Sequence, residues 1–278
     1  MASKRQIAIF VVFFHLTGCV SHPQIHSVSQ QEASSQVLDE IRLGQQIYEQ
    51  IISKMSVYDN AVVSEYVAGI GKHLARFAKR KDLPYQFIIL RDDRVYATSA
   101  PGGFVYVTTG FLSFLNNEAE LAAVLAHEIG ELQFKDPRLS RLKRIMEQVI
   151  TGGSAIAPIF GNVGALALIG LVGMYAMVDR SQSVDKRVCQ ADQIALHLLV
   201  DGDEDPQGLI DVLHKCLKAS PKELMYLYDY YQSRPVTETR LRKLEAVFGS
   251  LDLEGRNFNA NRDRFMIATK SLRPSQLV

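Results

Sequence analysis

The sequence predicts an α+β fold, a mainly helical body with a small β-sheet beside a cleft. Three observations predict it. Apolar residues recur at three- and four-residue spacing through most of the chain, the signature of amphipathic helices. One region, 85–108, breaks that rhythm with β-branched and aromatic runs around a Pro101-Gly102-Gly103 turn signal. One helical stretch, 119–136, carries His127, Glu128 and Glu131 among the apolar residues Leu121, Val124, Leu125, Ile129 and Leu132.

The N-terminus carries a targeting signal. Lys4 and Arg5 precede an apolar run over 7–16, broken only by His15, and Leu16-Thr17-Gly18-Cys19 follows. The run is too short for a stable membrane span and has the form of a secretory signal. Its ending resembles the bacterial lipobox, which makes residues 1–18 a signal peptide and Cys19 the lipidated mature N-terminus. Val20 after the cysteine directs such lipoproteins to the outer membrane, so the expected location is the periplasmic face of the bacterial cell envelope. Residues 19–36, rich in Ser, Gln and His without periodicity, read as a tether, with His22 and His26 as solvated linker residues.

The domain then occupies 37–278. Leu38, Ile41, Ile47, Ile51 and Ile52 give a first helix over 37–55. Asn60 caps a second over 61–79, with Val63, Tyr66, Val67, Ile70, Leu74 and Phe77 expected inward, and Pro84 closes the region. Strands are expected at 85–90, 96–98 and 104–108. Asn116 or Asn117 caps the central helix, and Asp136-Pro137 ends it. A basic amphipathic helix follows over 138–148. Residues 149–178 hold no charged side chain, but their glycines and Pro158 split them, so they read as an apolar flap over a cleft or a bilayer-facing hairpin rather than a span. Further helices are expected at 183–200, 207–217, 222–231, 238–248 and about 259–270. The acidic turn at 201–206 lacks the spaced ligands of a calcium loop.

Composition removes one class of function. With a net charge of +1, no broad basic surface argues for nucleic acid. Cys189 and Cys216 allow a disulfide in an oxidising compartment or two separate thiols.

The chemistry concentrates in His127-Glu128-x-x-Glu131. In the related H-E-x-x-H pattern, two ligands four residues apart share one helix face and grip a metal, while the intervening Glu activates its water. Here the first ligand and the base are present and the second ligand has become a carboxylate.

Several stretches together resemble the gluzincin metallopeptidases, the family of heat-shock membrane proteases, CAAX prenyl proteases and peptidase lipoproteins of the envelope. They are Leu43-Gly44-Gln45-Gln46, the segment from Ala97 through Pro101-Gly102-Gly103-Phe104-Val105-Tyr106-Val107 to Thr109-Gly110, and the run from Glu118 to Gly130. Ala191-Asp192 and Pro235-Val236-Thr237 with Arg240 complete the set. The resemblance implies a zincin-like fold, Glu128 as general base, and Gly103, Phe104, Val105, Tyr106 and Val107 as a strand that pairs with an extended substrate. It also marks departures. The family's second ligand His is Glu131, its ligand Glu four residues before Asp192 is Val188, the His of its later loop is Arg234, and the Asn opening the Asn-Ala segment is Tyr96.

A catalytic zinc needs about three protein ligands. His127 and Glu131 supply two, and Cys189 or Asp192 are candidates for the third. A cationic alternative is Arg234, whose guanidinium could pair with Glu131 or Glu128 in place of a metal. Two functions follow. One is a metalloendopeptidase of envelope quality control with altered ligands, holding zinc or another divalent metal. The other is a pseudopeptidase, with no metal, whose cleft binds unfolded or envelope polypeptides without cutting. The missing ligands favour the second. In either case the membrane is met through the N-terminal lipid.

Overall fold

The computed structural model describes residues 35–134, 183–219 and 236–273. In order, it contains α1 (Ser35–Ile52), α2 (Ala61–Ala75), β1 (Gln86–Leu90), β2 (Ala97–Ala100), β3 (Phe104–Thr108), α3 (Thr109–Phe114) and α4 (Glu118–Glu131). After these come α5 (Ser183–Asp201), α6 (Gln207–Leu217), α7 (Glu238–Phe248) and α8 (Arg262–Ala268). Mostly helical with one three-stranded sheet, this is the α+β architecture the sequence predicts. Among the described residues no helix is long and apolar enough to cross a membrane.

The sheet order is β1-β3-β2, with β1 parallel and β2 antiparallel to β3. Alternation along the strands splits the core in two. Ile89, Val105, Val107 and Ala97 face α2 and α4. Ile88, Leu90, Phe104 and Tyr106 face the other way, onto Leu43, Ile47 and Ile51 of α1. The strand expected to receive a substrate is therefore corrected. The Phe104–Thr108 strand is central, bonded on both sides and buried throughout, so residues Gly103 to Val107 offer no edge to an added peptide. Gly102 makes the turn between β2 and β3 with φ of 79°, a conformation that favours glycine.

Side chains close the helix starts where the sequence places them. Asn60 Oδ1 accepts from the Val63 N–H at 3.2 Å. Asn117 Oδ1 accepts from the Glu120 N–H at 2.8 Å, so Asn117, not Asn116, is the cap of α4. Glu120 in turn reaches back to the Asn116 N–H at 2.7 Å. The helix stops at Glu131, five residues before Asp136. Its last turn tightens as Leu132 and Gln133 donate to the carbonyls of Ile129 and Gly130, each three residues back.

α4 is buried over almost its whole length and packs most extensively on α5. Gly130 lets the two backbones meet: a Cβ there would lie 2.7 Å from the Ala191 carbonyl oxygen. Gly130→Ala gains about 1 kcal/mol of helix propensity but meets backbone that cannot swing away. The clash wins, and a net loss of about 1–2 kcal/mol is expected as a lower urea midpoint.

Candidate functional site

The site forms where the middle of α4 meets the first half of α5 and the start of α7. His127 and Glu128 are 2% and 1% exposed. They lie inside the protein because every position of α4 from Glu118 to Gly130 is covered by neighbouring elements. α5 brings Val188, Cys189 and Asp192 to the same region, and α7 contributes Arg240.

Asp192 is the hub. Its Oδ2 accepts from Arg240 Nε at 2.7 Å, and its Oδ1 accepts from Arg240 Nη2 at 2.8 Å, a bidentate fork. Oδ1 also contacts His127 Nδ1 at 2.8 Å. Burial works against ionisation of Asp192, but the Arg240 guanidinium and the bonds from Arg240 and His127 outweigh it. They hold the carboxyl well below the usual carboxylate range. An ionised Asp192 can only accept, so His127 Nδ1 donates, which leaves Nε2 as the ring nitrogen that faces away from Asp192. That Nε2 is buried, with no hydrogen-bond partner among the described residues. His127 thus has the posture of a metal ligand oriented from behind by a carboxylate.

The remaining donors do not complete a ligand set. Asp192, one candidate for a third ligand, has both oxygens bound by Arg240 and His127, and this corrects the expectation. Glu131 is engaged as well: Arg187 Nε donates to its Oε2 at 2.9 Å, and Arg187 Nη2 reaches its carbonyl oxygen at 3.4 Å. Val188 is 2% exposed and offers no donor atom. Cys189 is half-buried and Cys216 buried, where burial pushes the thiol pKa up to about 12, and the two are not joined in a disulfide. Among the described residues no cluster of three or more His, Cys, Asp or Glu side chains could hold a metal ion. The described residues therefore do not by themselves supply the three ligands a catalytic zinc takes.

A guanidinium beside the altered carboxylate is found, but it comes from α5. The pair is Arg187 with Glu131, while Arg234 lies outside the described residues, as do Cys19 and the apolar stretch 149–178. Side-chain exposures of 26% for Arg187 and 13% for Glu131 leave this pair partly hydrated. Arg187→Ala is expected to cost only about 1 kcal/mol in thermal or denaturant unfolding. The sequence reading did not assign roles to Arg187 or Arg240. For Arg240 a signal was present: it lies in the buried stripe of α7 with Leu241 and Leu244, where a charge needs a partner.

Comparison with known proteins fits this geometry. The model of peptidase family M48 matches residues 62–247. The chain belongs to peptidase family M48. Its relatives include the beta-barrel assembly-enhancing protease of Escherichia coli K12, 23% identical over 212 residues, 70% of this chain and 42% of the relative. The Yersinia pestis protein of the same name is 26% identical over 196 residues, 64% of this chain and 38% of the relative. The mitochondrial metalloendopeptidase OMA1 of Schizosaccharomyces pombe is 24% identical over 214 residues, 74% of this chain and 60% of the relative. The chain thus spans less than half the length of the two bacterial relatives. The matched residues include all of α4, with His127, Glu128 and Glu131.

Proposed function

We propose that this chain is a non-cleaving M48 protein of the bacterial envelope that binds unfolded or partly assembled polypeptides in the cleft beside α4. The observation that carries the reading is the internal neutralisation of the site. Asp192 is tied to Arg240 and His127, Glu131 is tied to Arg187, and Val188 stands where the resemblance calls for a ligand Glu. Charges that would hold a cation in a peptidase are answered by guanidinium groups of the chain itself. Relatives named for assembling β-barrels support an envelope polypeptide as the bound partner. The lipobox-like Leu16-Thr17-Gly18-Cys19 supports a lipid anchor at the outer membrane. The test is incubation of the purified chain with a reduced, unfolded protein. Binding by anisotropy with no new fragments by mass spectrometry is expected, and metal-dependent fragments would overturn it.

One observation favours the second reading, an endopeptidase with altered ligands. The buried Nε2 of His127 has no hydrogen-bond partner among the described residues, as a nitrogen kept for a metal would. In that reading Glu128 serves as general base, and zinc or another divalent metal completes its ligands outside the described residues.

A further inference from the structure

The sheet's other edge carries a second surface. β1 is an edge strand, and its outer side is covered only in part. The Tyr58 N–H donates to the Ile89 carbonyl at 2.8 Å and the Arg91 N–H to the Ser56 carbonyl at 2.9 Å, so the 56–58 segment pairs with the C-terminal half of β1. The chain then turns into α2 under the Asn60 cap. Backbone groups alternate in direction along a strand, so Phe87, two residues before Ile89, presents its N–H and C=O on the same outer side. No backbone group among the described residues pairs with it there.

This uncovered half opens into a groove of about 960 Å³ between α2 and the segment 81–87. Leu83 and Phe87 supply apolar wall, and Lys72, Arg76 and Lys81 stand around it against one carboxylate, Glu65. Among the described residues none of these four charged groups makes an ion pair, though Arg76 Nη2 meets His73 Nδ1, whereas neighbouring Arg80 is held by Glu40 and Asp82 at 2.9 and 3.0 Å. The wall is fixed in place: Gln133 Nε2 donates to the Tyr85 hydroxyl at 2.9 Å, and its Oε1 accepts from the Arg80 N–H at 3.0 Å.

We infer that this groove binds an extended acidic segment of a partner polypeptide, which adds to the outer edge of β1 at Phe87 and places acidic side chains against Lys72, Arg76 and Lys81. The strand edge supplies main-chain hydrogen bonds and the cationic rim supplies selectivity. The site is separate from the cleft beside α4, because β1 and β2 are opposite edges of the sheet and β2 is the edge strand that packs on α4.

The test uses the full chain and a fluorescein-labelled octapeptide alternating Glu and Val. Wild type should bind it with a Kd below about 1 mM at low salt. Lys72→Glu with Lys81→Glu should weaken binding about tenfold or more, as should raising the salt to 0.5 M. Phe87→Pro removes the outward N–H while leaving the ladder to β3, and should weaken binding about tenfold or more. A peptide N-methylated at alternate residues makes the same test without altering the protein and should bind at least about tenfold more weakly. No binding by wild type would overturn the inference. So would equal binding of a Lys-Val peptide, of an oligonucleotide of the same charge, or of the N-methylated peptide.

Discussion

Arg240→Ala is expected to lower the unfolding free energy by about 3–5 kcal/mol, the range for removing one partner of a buried ion pair. Asp192 is 1% exposed and Arg240 4%, so water cannot replace the lost guanidinium. The variant keeps an ionised carboxylate whose remaining partner is a single imidazole N–H. The effect has a definite pH signature. In the wild type the folded-state pKa of Asp192 is depressed, with burial opposing and Arg240 and His127 prevailing. Its stabilisation is present above the unfolded carboxyl value, about 3.9, and is lost as pH falls below it toward the folded value. Without Arg240, burial pushes that pKa up, so protonation relieves the variant earlier. The stability gap between the two proteins should be widest near neutrality and narrow as pH falls, because the variant's carboxyl protonates before the wild type's, with part of the gap still present at about pH 3.5. Lys243→Ala, an exposed change on the same helix, should stay within about 0.5 kcal/mol of wild type. Urea unfolding at pH 7 and pH 3.5 checks both statements.

The second large effect is at Val188. Val188→Glu alone places a carboxylate at a position 2% exposed, with a cost of about 3 kcal/mol or more. Combined with Glu131→His, the same carboxylate joins His127 and the new imidazole in a three-donor set of the kind a zinc ion accepts. Zinc should then restore the lost stability, by about 2.7 kcal/mol at a hundredfold excess over its dissociation constant. Zinc should leave the wild-type melting temperature unchanged. Adding Arg187→Gln, which removes the cation beside position 131, should tighten zinc binding further. A double variant that melts at the same temperature with and without zinc would show that the positions inferred from family resemblance do not converge.

Local features of the fold are legible in the sequence. Helices Gln207–Leu217 and Glu238–Phe248 and the strand Phe104–Thr108 fall where periodicity and β-branched content place them. Asn60 and Asn117 act as caps because a short side-chain acceptor before an apolar helical run has few other uses. Strand order is not legible in the same way. The family resemblance implies a substrate-pairing strand at β3, yet β3 is central because β1, which precedes it by more than a dozen residues, pairs with it in parallel. The site shows the same division. His127 and Glu128 announce themselves by residue type and spacing. Their modifiers do not, since Arg187 meets Glu131 across 56 residues and Arg240 meets Asp192 across 48. Such pairs follow from helix packing, and sequence spacing carries no trace of them. Glu131 meets the Arg187 guanidinium, one residue before the altered ligand position, while Arg234 lies outside the described residues.

The central claim is that internal cations have taken the place of a catalytic metal. Zinc content and zinc binding of the purified chain test it most directly, by elemental analysis followed by calorimetric titration of chelator-treated protein. The account predicts far less than one zinc per chain and no saturable binding that depends on His127. One tightly held zinc per chain, lost in His127→Ala, would contradict it.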